Sequence, residues 1–150
     1  MTGLQPRGGG RIVAGVDGSA SSLAALRWAI RQAELTGSSV DAVIAWQPPA
    51  ASGLEWGVAM IDDTDYAELA AKTLAEAIGT VADPASPVRV RPMVGEGNAA
   101  QVLLEVSAGA DLLVVGSRGH GGFASALLGS VSLHCTHHAR CPVVVIRDAR

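Results

Sequence analysis

Aromatic side chains are scarce in this sequence: Trp28, Trp46, Trp56, Tyr66 and Phe123 supply only 3% of its 150 residues. Stacking platforms for bases or sugars are therefore nearly absent. Lysine is scarcer still, with Lys72 alone among 11 basic residues, so the phosphate-gripping lysine of a P-loop has no candidate. A net charge of -3 without any run of Lys or Arg gives no electrostatic footprint for nucleic acid or an anionic membrane surface. No apolar stretch approaches the roughly 20 residues of a membrane span, and residues 1–10 lack the apolar segment of a signal peptide. Nucleic acid and membrane are thus excluded as expected partners, and the expected location is the cytoplasm. Cysteine is limited to Cys135 and Cys141, whose disulfide would close only a trivial loop; reduced thiols in a reducing compartment fit better.

What is present is small apolar content. Hydrophobic residues make up 49% and charged residues 17%, which excludes disorder, and the length suits one domain with one core. Residues 1–10 (MTGLQPRGGG) are Gly-rich and aperiodic, so they read as a flexible leader to a domain spanning 11–147. Residues 12–16 form an apolar β-branched run, and then Leu23, Leu26, Ile30 and Ala33 recur at helical spacing until Thr36-Gly37. Further strands are expected over 40–46, 88–94, 111–116 and 143–146, and further helices over 65–78, 101–108 and 124–139. Residues 50–61 show no period and read as a loop. Pro92 places its strand at a sheet edge, and Asn98 with Gln101 resembles a capping box. Five strands alternating with four helices demand a single doubly wound α/β domain, a parallel sheet with helices on both faces.

In such a sheet the ligand crevice lies at the carboxyl ends of the strands. Two strand ends carry unusual residues: Gly15-Val16-Asp17-Gly18-Ser19, and Gly116-Ser117-Arg118-Gly119-His120-Gly121-Gly122. Glycines of that density let peptide N–H groups approach an anion, and a following helix adds its positive N-terminal dipole; phosphate is the natural guest. Residues 119–124 also match G-x-G-x-x-[GA], but no acidic residue follows before Arg147 to hold a ribose, so a dinucleotide site is the weaker reading. His134 and His138, one helical turn apart and close to Cys135 and Cys141, invite a zinc hypothesis. It is set aside because Cys135 and His138 read as apolar-face residues and Cys141 as a turn residue. The same placement rejects a Cys135-His catalytic dyad.

Gly116-x-x-Gly119, nine further residues, then Gly129-Ser130 reproduce the pattern G-2x-G-9x-G-[ST]. With 12–19 (IVAGVDGS), 112–119 (LLVVGSRG), 127–132 (LLGSVS) and 137–146 (HHARCPVVVI), the chain resembles the universal stress protein family over about residues 11–147. The resemblance implies a Rossmann-like sheet of strand order 3-2-1-4-5 and the family's ATP-binding branch. It implies nucleotide contacts at Gly15 and Asp17, an adenine contact near Ala45, and phosphates held by Gly116, Gly119, Gly129, Ser130 and Val131. It also implies a homodimer, in which the apolar edge of the 143–146 strand would pair.

The residue chemistry adds Ser117, Ser130 and Ser132 as hydroxyl-bearing candidates, Arg118 as a cation, and Gly121 and Gly122 as loop amides, with Mg2+ expected beside the phosphates. His120 reads either as a phosphate contact or as a solvated side chain. Asp17 reads as a ribose or metal contact or as a helix N-cap, a task that Ser19 or Ser21 also suits. Where the family often has Pro after strand three, this chain has Gly95-Glu96-Gly97-Asn98-Ala99. No general base or arginine finger is evident, so the expectation is an ATP-binding stress or signalling module with at most weak ATPase activity. A dimeric interaction module without nucleotide and a Rossmann-like small-substrate enzyme are the alternatives.

Overall fold

Short apolar runs followed by helical stripes repeat along the chain, and the computed structural model turns each repeat into a strand and a helix. It describes residues 9–48, 63–118 and 128–147. In chain order the elements are β1 (Arg11–Gly15), α1 (Ala20–Thr36), β2 (Ser39–Trp46), α2 (Asp63–Val81), β3 (Val90–Glu96), α3 (Ala99–Val106), β4 (Leu112–Gly116), α4 (Ser130–His138) and β5 (Val143–Ile146). The sheet order is β3-β2-β1-β4-β5, and every pairing is parallel. The chain order therefore reverses between β1 and β4, which are neighbours with Ile12 opposite Leu112.

Side chains alternate across the sheet and build two layers of core. Ile12, Ala14, Val40, Ala42 and Val114 meet α1 and α2 on one face; Val13, Val43, Leu113 and Val115 meet α3 and α4 on the other. Ala25, Ala29 and Ala33, almost fully buried, repeat every fourth residue of α1 and let its backbone lie close to the strands. This is how a core almost without aromatic rings is filled. Leu26, Leu74 and Leu113 are fully buried, each contributing roughly 1.5–3 kcal/mol by leaving water.

Several boundaries differ from the sequence expectation: α2 runs beyond 65–78 at both ends and α3 begins and ends two residues before 101–108. The third strand runs two residues later than 88–94, as the parallel register with β2 dictates; Pro92 still sits in an edge strand, where a missing N–H is tolerated. The last helix begins at Ser130 behind Gly129 as its N-cap, not at residue 124, because Gly129 takes an extended conformation (φ -71°, ψ 167°). Ser130 and Ser132 thus occupy the first turn rather than the middle of a helix. Residues 124–127, like 1–8 and the expected loop at 50–61, lie outside the described residues.

At the amino end of the sheet, Asp41 of β2 is 1% exposed within an otherwise apolar strand. Arg91 Nε and Nη2 donate to its two oxygens at 2.8 and 3.0 Å, and Arg11 Nη1 donates at 3.3 Å. Burial alone would raise the Asp41 carboxyl, but the hydrogen bonds from Arg91 and Arg11 outweigh it and hold its pKa below the usual carboxylate value. Arg11 also donates to the carbonyls of Val106 (2.8 Å) and Ala108 (2.9 Å), closing the end of α3. No described helix is long and apolar enough to cross a membrane.

Candidate functional site

The carboxyl ends of β1 and β4 open into a cavity of about 300 Å³. On the β1 side, Gly18 turns the chain with φ +84°, a conformation that favours glycine. Ser19 then caps α1 by accepting the Ser22 N–H at 3.2 Å, and Asp17 Oδ1 accepts the Ser19 N–H at 2.8 Å. Ser19, not Asp17, is therefore the N-cap; Asp17 supports the turn and lines the cavity.

On the β4 side, three elements converge on the Ser117 peptide. Its N–H donates to Ile146 O at 2.8 Å, and its carbonyl accepts from the Gly129 N–H at 2.6 Å and from Ser132 Oγ at 3.3 Å. This fixes the start of α4 beside the end of β4. Because Gly129 has no side chain to cap the helix, the first-turn amides find no acceptor in the N-cap residue, and Ser130, Val131 and Ser132 border the cavity. A helix N-terminus presented this way favours an anion.

Gly15 and Gly116 line the same cavity, and each is also packed tightly against a neighbouring helix. A Cβ at Gly15 would stand 2.9 Å from Leu103 Cδ1, and one at Gly116 would stand 2.7 Å from the backbone carbon of Ser21. The glycines therefore let α3 and α1 close on the sheet as well as opening space in front. Arg118 lines the cavity with its peptide N–H 3.4 Å from Ser21 Oγ.

The floor comes from β2. Val16 N–H donates to Val43 O at 2.8 Å, one residue beyond the end of β1. Ala45 is two residues further along the same side of β2 and lines the cavity where β1 has turned away.

Of the residues expected from sequence, the structure brings together Gly15, Asp17, Ala45, Gly116, Arg118, Gly129, Ser130, Val131 and Ser132. Ser117 stands behind the wall and acts through its backbone. Gly119, His120, Gly121 and Gly122 lie outside the described residues. The sequence reading missed Val43, Ala99, Leu103 and Val115, which supply the apolar wall. Ala99 and Leu103 follow the Asn98 cap at positions one turn apart, which was the available signal.

Away from the cavity, Cys135 is fully buried, and its thiol is pushed up to about 11 by burial first and by Cys141 second. Such a thiol is a poor nucleophile. His138 is exposed, which corrects its expected place on the apolar face of α4.

Comparison with known proteins gives concordant matches. The model of the universal stress protein family matches residues 10–147. A universal stress protein of Mycobacterium tuberculosis is 35% identical over 150 residues, covering 91% of this chain and 47% of the relative. The chain spans about half the length of the curated relatives it matches. Among solved structures, the universal stress protein UspA from Lactobacillus plantarum superposes with a TM-score of 0.74 at 21% identity, covering 92% of this chain and 97% of that one. A universal stress protein solved in complex with cAMP superposes with a TM-score of 0.64 at 25% identity, covering 91% and 95%.

Proposed function

The chain belongs to the universal stress protein family, and from that premise we propose that it is a nucleotide-dependent stress-response module that binds ATP with Mg2+ in the β1–β4 cavity. The observation that carries this reading is the N-terminus of α4, its first turn bordering the cavity without a side-chain cap. The amides of Ser130 and Val131, the Ser130 hydroxyl and Arg118 receive the phosphates, together with Gly119 and its neighbours in sequence. Ala45 offers its peptide edge to adenine against the apolar wall of Val43 and Leu103, and Asp17 serves the ribose or the Mg2+ shell. A volume of about 300 Å³ falls at the small end of small-molecule cavities. The complex of a similar protein with cAMP supports the adenylate class of ligand.

Slow hydrolysis at most is proposed. Among the described lining residues Asp17 is the one carboxylate, and its Oδ1 already accepts from Ser19. Dimerisation through β5, an edge strand, belongs to the same reading, as does work in the cytoplasm, where Cys135 and Cys141 stay as thiols. Sedimentation showing only monomer at micromolar concentration would remove the dimer.

Calorimetric titration with Mg-ATP tests the binding, and a folded protein without affinity below millimolar overturns it. Ser130→Pro sharpens the test. Proline suits the first helical position and the extended Gly129 before it, but removes the N–H there. The expected result is intact folding with ATP binding weakened about tenfold or more, against a smaller loss in Ser130→Ala. Mass spectrometry of any co-purifying nucleotide identifies the ligand directly.

A further inference from the structure

The exposed flank of α4 carries three histidines, His134, His137 and His138, while Cys135 takes the buried position between them. His134 and His138 stand one helical turn apart with ring centroids 4.5 Å apart and planes inclined by 39°. His137 stands further off, its ring 6.3 Å from that of His138. Cys135 is buried as expected and supplies no ligand, but His138 stands in solvent with His134, so the histidine pair is accessible to an ion.

We propose that His134 and His138 form a two-imidazole chelate for a divalent late transition-metal ion of the zinc, nickel and copper class. Imidazole nitrogens bind zinc at about 2.0–2.1 Å, and two rings sharing one ion at roughly a right angle stand about 4.5–5 Å apart, centre to centre. The observed centroid separation of 4.5 Å falls at the near end of that range on the existing backbone. The same i, i+4 spacing presents the paired histidines of helical zinc motifs. Both rings lie in the last two turns of α4, where the negative end of the helix dipole favours a cation. Imidazole selects zinc, nickel or copper over magnesium or calcium.

Among the described residues no group of three or more His, Cys, Asp or Glu is placed to hold an ion. The chain therefore supplies two ligands and water the remaining positions, which makes the ion exchangeable. The pair lies on the C-terminal side of the cavity, His134 about 6 Å and His138 about 12 Å from Ser130 along the helix at 1.5 Å per residue, and neither histidine lines it.

The test is calorimetric titration of tag-free protein with Ni2+ at about pH 7.5, where model imidazoles are neutral and able to ligate. One saturable site is expected for Ni2+ and none for Mg2+ in the absence of nucleotide. His134→Gln and His138→Gln should each weaken Ni2+ binding at least about tenfold, and the double variant should be no weaker than either single, because losing one ring already destroys the chelate. His137→Gln should bind as the parent does, with circular dichroism confirming that every variant is folded. The proposal is overturned if no saturable binding appears, if the two single losses add, or if His137→Gln loses as much as the others.

Discussion

At the amino end of the sheet the buried polar group meets its partners within the protein: Asp41 is gripped by Arg91 and Arg11, and Arg11 also holds the carbonyls that end α3. At the carboxyl end the arrangement is the reverse. There β1 and β4 finish in turns, a helix begins without a side-chain cap, and peptide groups line a cavity. The first end spends its charges on holding strands and helix together, and substitutions there should register as stability. The second end leaves hydrogen-bonding capacity directed at a guest, and substitutions there should register as binding, except where the same atoms also pack the core.

Gly116→Val breaks the division most severely, because its new side chain would run into the backbone of Ser21 and force α1 away from the strand end that borders the cavity. Urea denaturation should show a loss of about 3 kcal/mol or more, and any folded fraction should not bind ATP. Asp41→Asn tests the opposite end. It should cost roughly 1–3 kcal/mol and leave ATP affinity unchanged; an altered affinity would show that the two ends are coupled.

The same variant carries a pH signature. The Asp41 carboxyl is lowered in the folded state, so its contribution is present above the unfolded carboxylate value and is lost as pH falls through the folded one. Acid melts of the parent should therefore steepen below about pH 4, and those of Asp41→Asn should be flatter over that window. Ser19→Ala removes only the α1 cap, for about 1 kcal/mol, with a modest loss of ATP affinity as the turn holding Asp17 loosens. The smallest effect is chemical. At pH 8 iodoacetamide should label Cys141 first and reach Cys135, held up at about 11, only on unfolding.

The architecture was legible because strand and helix periods alternate cleanly and Pro92 marks an edge. Most of the cavity was legible because glycine turns are local signals, and nine of the expected residues converge there. Other features were not. Asp41 looks like a stray charge in an apolar strand until Arg11 and Arg91, 30 and 50 residues away in sequence, are brought beside it. The start of α4 was misplaced because apolar spacing continues upstream of Gly129, while the bond from Gly129 N–H to Ser117 O that fixes the boundary is tertiary. Leu103 joins the wall by filling the space left by Gly15, a pairing with no sequence signal of its own.

The Ser117 peptide governs how freely its own position can be substituted. Its bonds to Ile146, Gly129 and Ser132 all use backbone atoms of residue 117, so the junction of β4, β5 and α4 is written without reference to the side chain there. With only 4% of the residue exposed, size is the constraint that remains. A lineage can therefore exchange serine for another small residue at 117 and keep the geometry, whereas one position earlier Gly116 faces Ser21 with no such latitude. Adjacent positions at one strand end thus carry opposite freedom to drift.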